Sequence, residues 1–169
     1  GADALRTPEM RRKNPLMTVP FAELEDGTTI RESLAIMVYL EALHPEPPLF
    51  GTTPIEKARV MEADRLADLG LMNELANFAH NVSPFFADRG PQSPEAAEMA
   101  LNGYRKYLAI QNDALADRRF AAGDFVSAAD CTLFSVLGFA DKVGQPLDSG
   151  LVHIGRWRAD FGARPSAQA

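Results

Sequence analysis

The stretch VPFAELEDGTTIRESLAI, Val19 to Ile36, decides the fold. Val19 to Leu24 reads as a strand. Glu25-Asp26-Gly27-Thr28 is a hairpin turn signal, and Thr29-Ile30 is a short returning strand. Ser33 then opens a helix expected to run to about His44, with Leu34, Met37, Val38, Leu40 and Leu43 as its apolar positions. Upstream, Thr7 to Lys13 reads as a short polar helix with Pro8 in its first turn. Asn14-Pro15 stops it, because the residue before a proline is pushed out of the α region.

Downstream, Pro45-Glu46-Pro47-Pro48 cannot be helical. Residues 46–54 form the best linker. Thr53 is placed to cap the next helix, with Pro54 in its first turn. From there the pattern is helical throughout. Ile55 to about Phe78 carries Ala58, Met61, Leu69, Met72, Leu75 and Ala79 at helical spacing. Pro94–Asp117 offers Met99, Leu108 and Leu115 as core members. Ser127–Val143 and Leu151–Phe161 follow. The expected fold class is α+β: residues 1–45 a hairpin plus helix, residues 55–169 an all-α domain.

The chain has 169 residues, 46% apolar and 24% charged, which is the balance of a folded globular protein. A net charge of −6 argues against a broad nucleic-acid or anionic-membrane surface. The one basic cluster, Arg11-Arg12-Lys13 beside Arg6, reads as a solvated helix face. No apolar run reaches the roughly 18 residues of a membrane span. A single cysteine, Cys131, precludes an intrachain disulfide and fits a reducing compartment. It reads as a small packed hydrophobe. Three scattered histidines and one cysteine give no metal-ligand spacing.

Ser127 and Asp130 are spaced as a capping box, with Val126 and Cys131 at the staple positions. The following run, Cys131 to Phe139, is apolar on nearly every face, as a central buried helix is. Glu32-Ser33 is chemically more suggestive. Ser33 heads a helix whose third residue on is Ile36, so no acidic partner completes a box and the first N–H groups stay available. Such a helix start binds a carboxylate, and Glu32 suits an ammonium; together they match an α-amino acid head group. The plainer alternative is that Ser33 simply caps its helix. Val19-Pro20 is either an edge marker or a cis turn. If cis, the Val19 backbone could pair with a ligand as an added strand would.

Asn14-Pro15, Val19-Pro20, Asp26-Gly27, Glu32-Ser33 and Tyr39-Leu40-Glu41, in that order, closely resemble the second half of the glutathione transferase thioredoxin-like domain. Ala122 to Asp130 resembles the same family's helical domain, and Trp157 with Arg164-Pro165-Ser166 its last helix. Leu49-Phe50-Gly51 followed by Pro54 is most similar to a bacterial and fungal branch. The resemblance implies a fold, the C-terminal part of a thioredoxin-like domain followed by the all-α domain. It implies glutathione as co-substrate, no other cofactor, a small electrophile as second substrate, a cytoplasmic setting and a homodimer. The dimer would use the helices around Ile55–Ala79 and Pro94–Asp117. It implies Pro20 as a cis proline, Val19 as backbone partner of the cysteinyl unit, and Glu32 and Ser33 as γ-glutamyl anchors. It also implies that the family's first strand, first helix and second strand, with the usual residue acting on sulfur, would lie ahead of Gly1.

His80, at the end of the long helix, and Ser83 are the catalytic candidates within the chain. An imidazole could position or deprotonate a water or thiol; the plainer reading, which the position favours, is that it pairs with the last carbonyls of its own helix. Tyr104 and Tyr107 could face an electrophile pocket or pack in the core. Tyr39 reads as core, His44 as a helix-end cap and Trp157 as an anchor. The alternative function is a glutathione transferase-like module that binds without turnover.

Overall fold

The computed structural model describes residues 7–168. Arg6, the edge of the basic cluster, lies outside them. The chain divides into two compact units between Leu49 and Phe50.

In the first unit, α1 (Pro8–Lys13) is capped by the Thr7 hydroxyl, which accepts the Met10 N–H at 3.1 Å. It ends at Asn14, as the following proline requires. Strands β1 (Phe21–Glu23) and β2 (Thr29–Arg31) pair antiparallel, with Phe21 opposite Arg31 and Glu23 opposite Thr29. Gly27 supplies the left-handed residue of their turn (φ 83°), and Asp26 Oδ1 accepts the Thr28 N–H at 2.8 Å. Helix α2 (Ser33–Leu43) ends at His44, whose N–H reaches the Leu40 carbonyl. None of its residues is fully buried, so Tyr39, expected in the core, is only half-buried.

The second unit opens with α3 (Pro54–Arg65). The Glu56 carboxylate accepts the Thr53 and Thr52 N–H groups and the Thr52 hydroxyl, while Thr53 Oγ1 accepts the Glu56 N–H. Those donors, Thr53 first, pull the Glu56 carboxyl down to about 2. A π-helical segment, Leu66–Met72, joins α3 to α4 (Asn73–Val82). A 3-10 turn at Pro84–Arg89 leads to α5 (Pro94–Ala114), then α6 (Ala128–Lys142) and α7 (Val152–Gly162). Helices α4 and α5 pack side by side, and α6 and α7 complete the core.

The buried stripe on the long helix is Val60, Ala63, Asp64, Ala67, Leu71, Leu75 and Ala79. Ala58, Met61 and Leu69, expected inside, are exposed, as is Met99 at 76%. Leu75 and Ala79, also expected inside, are buried, and the stripe mixes Val60, Leu71 and Leu75 with three alanines and a paired aspartate, so residue size alone does not mark the inward face. Small residues suit close approach: a Cβ on Gly70 would lie 2.9 Å from the Tyr107 ring. Buried Asp64 is satisfied by the Thr132 hydroxyl at 2.7 Å and Arg65 at 2.9 Å.

Ser127 and Asp130 form the capping box of α6. The Asp130 carboxylate is fully buried and receives four donors: the Ala121 N–H, the Ser127 N–H and hydroxyl, and Trp157 Nε1 at 2.7 Å. Trp157 is itself fully buried and stacks on Phe161, anchoring α7. Helix α6 buries Leu133, Val136, Leu137 and Ala140 but exposes Ser135, so it is less enclosed than its sequence suggests.

Candidate functional site

Antiparallel pairing places the four ligand-binding candidates together. The pairing ends at Phe21 and Arg31; Pro20 and Glu32 are the next residues outward on the two strands, followed by Val19 and by Ser33, which is already helical. One end of the hairpin therefore carries all four, and all four are exposed. The Val19–Pro20 peptide is cis.

Glu32, not Ser33, occupies the N-cap of α2; Ser33 is the first helical residue. The expected cap thus moves by one position. No side chain caps this helix start. Glu32 stands at φ 72°, a left-handed conformation rare outside glycine and of order 1–3 kcal/mol in cost. Exposed N–H groups, a hydroxyl and a carboxylate thus crowd into three residues, an arrangement that can take a zwitterionic α-amino acid group.

Two further residues shape this end, and the sequence reading missed both. Asn14 is the sole buried side chain among described residues 7–49, at 1% exposed. Its Nδ2 donates to the Thr18 carbonyl, and its own carbonyl accepts the Met17 N–H at 2.9 Å. Arg31 donates through Nε and Nη2 to the Lys13 carbonyl, at 3.1 and 2.7 Å, and through Nη2 to Thr29 Oγ1 at 2.9 Å. The sequence marked Asn14 only as a helix stop, and nothing in it distinguishes Arg31 from a surface charge.

In the helical unit, His80 is exposed at the end of α4 and lines a cleft of about 380 Å³ with Asn81, Phe86, Gly90 and Pro91. Its ring meets Phe86 edge-on at 4.2 Å. Gln92 Nε2 donates to the carbonyls of both His80 and Ser83, at 2.8 Å each. The Ser83 hydroxyl caps the 3-10 turn, accepting the Phe85 N–H at 3.3 Å.

Neither Tyr104 nor Tyr107 lines the His80 cleft; Tyr104 instead lines a separate cavity of about 420 Å³ with Leu108, Gln145 and Leu151. Tyr107 lies over Gly70. Tyr104 is 3% exposed, and its hydroxyl has no hydrogen-bond partner among the described residues. Burial, and secondarily Asp141, push its pKa up to about 12, so it stays protonated at neutral pH. Burial and then Asp130 likewise raise the Cys131 thiol, which disfavours a nucleophilic thiolate. No group of three or more His, Cys, Asp or Glu side chains that could hold a metal ion occurs among the described residues. No helix there is long and apolar enough to cross a membrane.

Comparison with known proteins agrees with this architecture. The profile of the glutathione S-transferase N-terminal domain matches residues 3–48, and that of the C-terminal domain residues 75–165. The chain belongs to the glutathione transferase family. It is 32% identical to glutathione S-transferase 2 of Saccharomyces cerevisiae, over 96% of this chain and 71% of the yeast protein. A glutathione S-transferase domain-containing protein of Marinobacter aquaeolei superposes with a TM-score of 0.88 at 34% identity, covering 96% of this chain and 80% of that one. This transferase-family chain is also 31% identical to elongation factor 1-gamma of Prunus avium, over 90% of its own length but 35% of the plant protein.

Proposed function

We propose that this chain binds reduced glutathione and joins its sulfur to a small electrophile. The observation that carries the reading is the hairpin register, which gathers Val19, Pro20, Glu32 and Ser33 at one exposed end beside an uncapped helix start. The γ-glutamyl carboxylate would rest on the Ser33 hydroxyl and the first helical N–H groups, with the ammonium on Glu32. The cysteinyl unit would pair with the Val19 backbone ahead of Pro20. The thiol gives its proton to a base or to water. The sulfur electron pair then forms the C–S bond, and a leaving group such as halide departs with the old bonding pair. His80, exposed beside Phe86, is the proposed group for holding a water or receiving a proton, with Ser83 shaping the turn that carries Phe86.

The proposal includes a homodimer and a reducing, cytoplasmic setting. Exposed Met61 and Leu69 on the long helix, and Met99 and Ile110 on α5, support an interface between copies. Retention on glutathione resin with turnover of 1-chloro-2,4-dinitrobenzene tests the reading. Retention without turnover would favour a binding module instead, the alternative supported by similarity to elongation factor 1-gamma.

A further inference from the structure

We propose that Asn14 and Arg31 are positioning residues that set the spacing between the Val19 backbone and the Glu32-Ser33 pair. This rests on the reading that those groups share one ligand. The loop Pro15–Thr18 is exposed along its whole length, so no packed side chain dictates its path. Its shape comes from hydrogen bonds. Met17 takes a left-handed conformation (φ 53°) in a turn closed on the Asn14 carbonyl, and Asn14 Nδ2 holds the Thr18 carbonyl. Thr18 directly precedes Val19. On the other side, Arg31 directly precedes Glu32, and its guanidinium grips the carbonyl of Lys13, the residue before Asn14.

The contacts close a ring. Glu32 is bonded to Arg31, Arg31 holds Lys13, Lys13 is bonded to Asn14, Asn14 holds Thr18, and Thr18 leads into Val19. The strand register closes the remaining side. A ring of this kind fixes one distance, that between the two halves of the proposed ligand contact. The Asn14 amide supports a positioning role further, because its buried Oδ1 has no hydrogen-bond partner among the described residues. Stability alone disfavours an unsatisfied buried acceptor. What the amide contributes here is its donor, aimed at the carbonyl next to Val19.

The ring makes a selective prediction, because glutathione would touch both halves whereas free L-glutamate would reach only Glu32 and Ser33. In the full protein, Asn14→Ala and Arg31→Met should each raise the dissociation constant and KM for glutathione by about tenfold. The kcat at saturating glutathione should stay within about twofold, and so should the inhibition constant of L-glutamate. Arg31→Lys, which keeps one donor for the Lys13 carbonyl, should recover part of the loss. Parent-like glutathione affinity in both variants would overturn the clamp while leaving the binding reading intact. A parallel rise in the L-glutamate constant would also overturn it, since that marks general collapse of the site. A parent protein with no affinity for glutathione would overturn both the reading and the clamp.

Discussion

Between residues 7 and 49 a single side chain is buried, and it is the polar Asn14; beyond residue 50 the buried set includes Trp157, Leu71, Leu75, Leu133 and Ile154. The hairpin end is shaped by hydrogen bonds to backbone carbonyls. The helical unit is shaped by packing around two buried carboxylates, Asp64 and Asp130. The contrast teaches that the proposed ligand geometry and stability rest on different interactions here, and substitutions can address them one at a time.

The largest stability effect belongs to the helical core. Trp157→Ala should cost about 3–5 kcal/mol in chemical denaturation, through cavity formation and loss of a donor to buried Asp130. A loss below about 1 kcal/mol would show that stability does not reside in this core. The reverse case is the double variant Glu32→Ala with Ser33→Ala. Resin retention should vanish, with affinity falling at least about a hundredfold, while the denaturation midpoint stays put; retained binding would break the site assignment. Ser127→Ala should cost about 1–2 kcal/mol, because the hydroxyl donates to Asp130 in a buried cap. An unchanged midpoint would reject that role. For His80→Ala, turnover at saturating glutathione should drop about tenfold with stability unaffected. Equal rates would remove His80 from the chemistry.

The smallest effect concerns acid. The folded-state pKa of Glu56 is depressed to about 2 from 4.5, so its contribution is full above the unfolded value and is lost as pH falls through that interval. Glu56→Gln should flatten the acid limb of the stability curve between pH 4.5 and 2 without altering glutathione binding. An unchanged limb would show that the exposed cap does not register in solution.

Much of this contrast was legible in the residues. Turn chemistry at Asp26-Gly27, the proline stops and the Ser127–Asp130 box depend on neighbours in the chain, and local spacing conveys them. The grouping of Val19-Pro20 with Glu32-Ser33 follows once the hairpin is recognised. What stayed hidden depends on distant partners. Asp64 is buried because Thr132 lies against it, 68 residues on. Arg31 matters through the Lys13 carbonyl, 18 residues back. Met61 and Leu69 read as core because they are large and apolar, yet they lie on the outward face. A periodicity argument orients a helix only if the inward residues are also the greasier ones.

The π-helical segment at Leu66–Met72 acts as a phase shifter. Accommodating one extra residue per turn rotates everything after it by about 100° relative to an unbroken α-helix. The azimuth of His80 about the axis that begins at Pro54 is therefore encoded well upstream of the imidazole. Deleting one residue within that segment should swing the imidazole around the barrel of the helix and carry Asn81, its neighbour in the cleft wall, with it.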